Sequence, residues 1–264
     1  MKMSGPSDNC LVKTETGHMP RYFISVSYVG TRYAGSQVQD NGQTIQGAIE
    51  HCLAILFRQP VGLTGSSRTD AGVHANKNYY HFDWENEIDG DPVYQLNALL
   101  PSDIAVWEII PVADTAHARF DAVGRRYVYR VYDQKNPFLH DRGWYYPYPM
   151  DLSLLNKAAA TIMGEHDFTS FAKRNAQVYT HDCTIVHSRW EFENGVYQYT
   201  VQGNRFLRGM VRGLVATMVK AGRGKISLDE FHSILLSKDC TKADFSAPAK
   251  GLVLEDVIYP EGLL

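Results

Sequence analysis

The chain has 264 residues, of which 44% are apolar and 21% charged, with 16 tyrosines and 11 phenylalanines. Such a chain builds a packed core, which excludes intrinsic disorder as its overall state. At about 100 to 200 residues per domain, the length admits one large domain or two modest ones, without disulfides or metal to hold them. A net charge of −3 excludes a uniformly basic protein, so contact with a polyanion has to come from a local patch. Cys10, Cys52, Cys183 and Cys240 form no CxxC pair and no Cys/His cluster, which argues against a zinc ribbon or disulfide framework and for a reducing cytoplasm. No stretch approaches the ~18 apolar residues that span a bilayer, and Met1 to Pro20 carries no apolar signal core.

In chain order, residues 1–20 are polar and rich in Ser, Thr, Gly and Pro, and are expected to form a flexible tail. Tyr22 to Tyr28 alternates with a period of two, as a strand does, and a Gly-punctuated loop follows. In TIQGAIEHCLAILF, Ile45, Ile49, Cys52, Leu53 and Leu56 recur at three- and four-residue steps behind Thr44, predicting a helix capped by that threonine. After the loop GSSRTDAGVH, Asn78 to Trp84 has strand composition, and Pro92 to Leu100 is short and mixed. Arg126 to Tyr132 reads as a strand with Tyr127, Tyr129 and Val131 on one side and Arg126, Val128 and Arg130 on the other.

DLSLLNKAAATIMG predicts a helix capped by Asp151 and stopped at Gly164, and RWEFE and VYQYTV flank Asn194-Gly195, the signal of a type I′ hairpin. From Phe206 onward Met210, Leu214 and Met218 align with Leu207, Val211, Val215 and Val219, predicting a helix with a wide apolar face. Arg205, Arg208 and Arg212 would form one cationic stripe along it. Ser227 and Glu230 announce a capping box for the next helix, and GLVLEDVIYP closes the chain as a strand. The halves read alike element by element. They predict an α+β protein of two lobes, residues 21–112 and 113–264, joined near Pro111 to Ala116.

Charge is segregated as well. Asn204 to Lys225 carries six basic residues and no carboxylate, whereas Asp83 to Asp91 is acidic. A cationic surface for phosphates is expected at the first and solvated acid at the second. The loop Ser66 to Ala75 concentrates Arg68, Thr69, Asp70 and His74 between a helix and a strand. As a nucleophile Asp70 would need a cation from elsewhere in the fold to keep it ionised and aimed, because Arg68 alternates away from it. His74 and His166 read as loop hydrogen-bonders. No HExxH or paired metal spacing occurs, and AGRGKIS lacks the spacing of a phosphate-binding P-loop.

GSSRTDAGVHA resembles the Gly-Arg-Thr-Asp-Ala-Gly-Val-His motif of the TruA family of tRNA pseudouridine synthases. TIQGAIE at Thr44, ARF…RRYVYRVY at Ala118 to Tyr132, GEHDFTSF at Gly164, NRFLRGMVR at Asn204 and PAKGLVLEDVIYP at Pro248 are similar to the family's other segments, in its order, over roughly residues 20 to 262. The resemblance implies the pseudouridine synthase fold, two RRM-like or ferredoxin-like α+β lobes whose antiparallel sheets meet across a basic cleft. It implies a cytoplasmic, homodimeric isomerase that converts uridine to pseudouridine at positions 38, 39 and 40 of the tRNA anticodon stem-loop, with no cofactor and no metal.

By the same resemblance Asp70 is the attacking aspartate, Tyr127 stacks on the uracil and Arg212 pairs with the carboxylate. Arg68 engages the target nucleotide, and Arg205, Phe206 and Arg208 are expected to contact substrate. Ser67 departs from the glycine usual before Arg-Thr-Asp, and residues 172–185 depart from the pattern usual after the DFTSF-like segment. A catalytically inactive RNA-binding relative is the alternative. An aspartate-nucleophile hydrolase of sugars or phosphates would want a second carboxylate or metal ligands.

Overall fold

The computed structural model describes residues 19–40, 42–174 and 179–264. Most of the expected tail and residues 175–178 of the divergent stretch lie outside the described residues. The chain order is β1 (Arg21–Tyr28), α1 (Ile45–Phe57), β2 (Thr64–Gly65), β3 (His74–Asp83), α2 (Pro92–Leu99), β4 (Ile104–Val112), β5 (Gly124–Tyr132) and β6 (Trp144–Tyr145). It continues with α3 (Leu152–Thr161), β7 (Gly164–Asp167), β8 (Asp182–Glu193), β9 (Val196–Gly203), α4 (Met210–Gly222), α5 (Leu228–Leu236) and β10 (Leu252–Ile258).

Eight strands run edge to edge in the order β4-β1-β3-β10-β5-β9-β8-β7, with β2 added on β3 and β6 on β5. The first half of the chain supplies β4, β1 and β3, and the second supplies β5, β9, β8 and β7. All neighbours within each group are antiparallel. The last strand, β10, inserts between the groups, antiparallel to β5 but parallel to β3. Its junction with β3 is short, Val253 opposite His74 and Leu254 opposite Ala75, while Leu254 also pairs with Tyr127. The end of the Asp70 loop and Tyr127 therefore flank one residue of β10, two strand spacings apart, or about 10 Å.

Local chemistry sets the helix ends. Thr44 Oγ1 accepts from Gly47 N–H, Asp151 from Ser153 and Leu154, and Ser227 and Glu230 complete a capping box. Asn194 and Gly195 both adopt positive φ, 50° and 77°, as the type I′ hairpin requires. β1 is buried on both faces, with Ile24 and Val26 on one side and, on the other, Ser25 and Phe23, which packs on Tyr79, His81 and Tyr259. One expectation changes. α4 begins at Met210 and not at Phe206, since Gly209 adopts a φ of +74°, where a right-handed helix cannot run. Arg205 and Arg208 thus precede the helix, and only Arg212 rides on it.

Apart from Arg212 and Lys220, every residue from Met210 to Gly222 is buried, so α4 is the spine of the second half; Met210 and Met218 are core. α3 and α5 pack against it, and α3 also packs on β8. Each fully buried large side chain here stabilises the fold by about 1.5–3 kcal/mol.

Candidate active site

The Asp70 loop has almost no regular structure, so it is held from below by side chains. Asn78, wholly buried on β3, uses all of its amide. Its Oδ1 accepts from Ser66 Oγ at 2.8 Å and Tyr79 N at 3.0 Å, while Nδ2 donates to Tyr28 Oη and to Ser67 O, both at 3.2 Å. Tyr28 Oη and Thr69 Oγ1 share a 2.9 Å hydrogen bond, and Thr69 N donates to Ser36 Oγ at 2.8 Å while its carbonyl accepts from Ser36 N at 3.1 Å. Burial is the main reason the Tyr28 phenol is pushed up to about 12, so it stays neutral and able to donate. Val73 N–H closes the turn on Asp70 O at 3.1 Å.

Above this base Asp70 is about one-third exposed and stands 3.9 Å from both Arg212 Nη1 and Arg208 Nε. Both separations exceed hydrogen-bonding distance. Among the described residues the carboxylate accepts no side-chain hydrogen bond, so cationic charge surrounds lone pairs that are otherwise unused. Arg212 is largely buried and its Nε donates to Ala247 O at 2.7 Å, whereas Arg208 is mostly exposed.

Tyr127 is buried, and its ring meets Phe206 edge-on with centroids 5.1 Å apart. Burial raises its phenol pKa most, and the Tyr28 phenol and the Asp70 charge raise it further against the lowering effect of Arg125. Arg68 is exposed and lines a cavity of about 230 Å³ with Ser67, Tyr80, His117, Arg119 and Phe120. Arg205 is half-buried near Arg125, whose pKa is lowered mainly by burial and further by the charge of Arg205.

Sequence reasoning overlooked several residues that build the site. Arg125 donates to four carbonyls, those of Ala122, Asn204, Ser66 and Arg119, at 2.9–3.3 Å, tying three segments around the pocket with no carboxylate partner among the described residues. Asn78 looked like one more strand residue, although a polar amide inside an aromatic run is the kind of buried group that has to be fully hydrogen-bonded. The strap at residues 247–250 falls partly in the family-like segment that opens at Pro248, but its sequence gives no sign that its carbonyls hold Arg212 and Tyr129.

A mixed α+β sheet with a carboxylate loop at its central junction, faced by a phenol and two guanidinium groups, has the pseudouridine synthase fold. A family model for tRNA pseudouridine synthase matches residues 158–260. The chain is 46% identical over 248 residues to tRNA pseudouridine synthase A of Parabacteroides distasonis, covering 93% of this chain and 98% of the relative. It is 40% identical to that of Porphyromonas gingivalis over 93% and 99% of the two chains, and 37% identical to that of Staphylococcus aureus MRSA252 over 92% and 94%. The chain belongs to the tRNA pseudouridine synthase A family, whose members are isomerases. No helix among the described residues is long and apolar enough to cross a membrane, and no group of three or more His, Cys, Asp or Glu among them could hold a metal ion.

Proposed function

We propose that the chain isomerises uridine to pseudouridine at positions 38, 39 and 40 of the tRNA anticodon stem-loop, as a cytoplasmic homodimer, with Asp70 as nucleophile and no cofactor. The N1–C1′ bond breaks, the uracil turns, and C5 joins C1′; C5 loses a proton and N1 gains one, so every heavy atom is retained and no oxidant or reductant is consumed. Asp70 attacks C6 of the base or C1′ of the sugar, and the bond it forms breaks again as C5 joins C1′; Arg212 offsets its charge, and Tyr127 with Phe206 holds the detached base. Arg68, Arg205 and Arg208 contact the tRNA around the target nucleotide. Extruding the base costs about a few kcal/mol, offset by stacking and phosphate contacts. Residues 21–112 carry the nucleophile as one lobe, and residues 113–264 the tyrosine and arginines as the other.

The observation that carries this reading is a carboxylate 3.9 Å from two guanidinium groups and accepting no side-chain hydrogen bond among the described residues. Its test is tritium release from C5-labelled uridine in unmodified tRNA, with chelator and nothing else added. The wild-type chain should release tritium. Asp70→Asn should bind the same tRNA and release none, a loss of about a thousandfold or more. Turnover by Asp70→Asn at the wild-type rate overturns the nucleophile, and tRNA binding without release by the wild-type chain favours an inactive RNA-binding relative.

A further inference from the structure

Three carbonyls of one short segment reach three different parts of the site. Ala247 O accepts from Arg212 Nε at 2.7 Å, Pro248 O from Tyr129 Oη at 2.7 Å, and Lys250 O lies 3.1 Å from His74 Nε2. The other ring nitrogen of His74, Nδ1, accepts from Gly30 N–H at 3.1 Å. That acceptor role fixes the imidazole as neutral with its proton on Nε2, donated to Lys250 O. Burial lowers the His74 pKa and favours the same state.

The Gly30 end of this link is pressed against the Asp70 loop. A Cβ at residue 30 would stand 2.0 Å from Val73 O, so only glycine allows the approach. Val73 itself closes the turn on Asp70 O. A continuous path of contacts runs from Asp70 through Val73 and His74 to the 247–250 strap and on to Arg212, whose Nη1 faces Asp70 again at 3.9 Å. The pairing of Val253 with His74 aligns the backbones of β10 and β3, and the imidazole extends that tie from the strands to the strap. Because Arg212 Nε is committed to Ala247 O, the position of the strap decides how far the guanidinium stands from the carboxylate.

We infer that His74 is a positioning residue for the isomerase: its neutral imidazole is a two-ended brace between Gly30 and Lys250 that fixes the Asp70 loop relative to the strap holding Arg212. The inference rests on the proposed roles of Asp70 and Arg212. The brace touches neither substrate nor the reacting carboxylate. It should therefore act on turnover and not on tRNA affinity, since a small misplacement of reacting groups lowers a rate far more than binding.

The test compares kcat and KM for His74→Ala, His74→Asn and His74→Gln on unmodified tRNA, with thermal unfolding measured alongside. His74→Ala should lower kcat about tenfold with KM changed less than about twofold. Asn and Gln refill most of the space but each keeps one end of the brace at best, so both should remain as slow as Ala. Recovery of kcat by either variant would reduce His74 to a packing role and overturn the inference.

A cycle with Arg212→Lys then asks whether the effect travels through the strap. Lysine keeps the charge but loses the Nε bond to Ala247 O. In that background His74→Ala should change kcat less than about twofold, whereas a full additional tenfold loss would show independent sites and overturn the path. A wild-type chain that releases no tritium would instead bring down the functional reading itself.

Discussion

The Asp70 loop and the segment Arg205 to Gly209 face each other across the site and are built on opposite plans. The loop carries no helix or strand at its reactive residue, yet Tyr28, Ser36 and Asn78 hold it by buried hydrogen bonds. The arginine segment sits at the entry to a rigid, buried helix, yet Arg208 is 64% exposed and its Nε stands 3.9 Å from Asp70, against 17% for Arg212 one turn further on. The difference separates two tasks. A nucleophile has to be fixed before substrate arrives, because misplacement costs rate. A side chain that meets phosphate needs reach and a free fork, and gains little from being fixed in advance.

The contrast breaks first at the two arginines. If the buried guanidinium serves chemistry and the exposed one serves the RNA, Arg212→Ala should lower kcat by about 10² to 10³-fold, or ~3–4 kcal/mol of barrier, with tRNA affinity nearly unchanged. Arg208→Ala should mainly raise KM. Single-turnover rates at saturating enzyme, set beside filter-binding affinities, separate the two; equal effects of both variants on the chemical step would erase the distinction.

The fixed half of the comparison is sharpened by its central brace. Asn78→Ala strands the buried Ser66 Oγ, takes a donor from Ser67 O and leaves Tyr28 Oη with Thr69 alone, and should destabilise the fold by about 2–4 kcal/mol. Urea unfolding measures this, and a loss below about 1 kcal/mol would mean that the loop does not depend on the amide.

What the sequence made legible follows the same division. Helix caps at Thr44, Asp151 and Ser227 and the Asn194-Gly195 turn depend on neighbours a few residues apart, and all stand as expected. The Asp70 motif was visible for the same reason. The strand β4 was overlooked because Trp107, Glu108 and Pro111 interrupt its apolar pattern on the sheet's outer edge, and α2 because eight residues give too little periodicity. The cationic stripe failed at one residue. Counting helical steps from Arg205 passed through Gly209, whose positive φ ends the regular register and sends Arg205 and Arg208 elsewhere. The brace of Asn78, the four-carbonyl cradle of Arg125 and the 247–250 strap join residues far apart in the chain, and no local pattern announces them.

Acid should act on the first half of the sheet before it acts on the second. Burial, with Arg21 and His117 adding to it against the opposing charges of Asp83 and Asp121, lowers His81 from 6.5 to about 4, and Ala118 N–H donates to its Nδ1. The unfolded chain therefore takes up a proton near pH 6.5 that the folded chain refuses until about pH 4, and stability falls as pH drops through that window. Between pH 6.5 and 5 this amounts to about 1.5 kcal/mol. Asp167 is lowered to about 2 by hydrogen bonds from Thr169 and Lys238, which outweigh its burial, so it costs stability only below about pH 4. His81→Gln, which keeps an acceptor for Ala118, should flatten the upper window and leave the lower one. A Tm that falls equally in both proteins between pH 6.5 and 5 would show that other groups dominate.

The smallest effect belongs to the adaptable side. Arg205→Ala and Arg208→Ala leave the core untouched and should change stability by less than about 0.5 kcal/mol. If each meets one phosphate, each should reduce the slope of log affinity for tRNA against log salt by about 0.7 to 0.9, and weaken binding more at 50 mM than at 200 mM salt. The half-burial of Arg205 beside Arg125 makes it the more informative of the two. Two roles compete for it there: contact with a phosphate, and packing beside the guanidinium of Arg125. If it meets a phosphate, replacing it should lower the salt slope as much as replacing the exposed Arg208. An unchanged slope for Arg205→Ala beside a reduced one for Arg208→Ala would make Arg205 a structural cation and leave the phosphate path to the exposed fork alone.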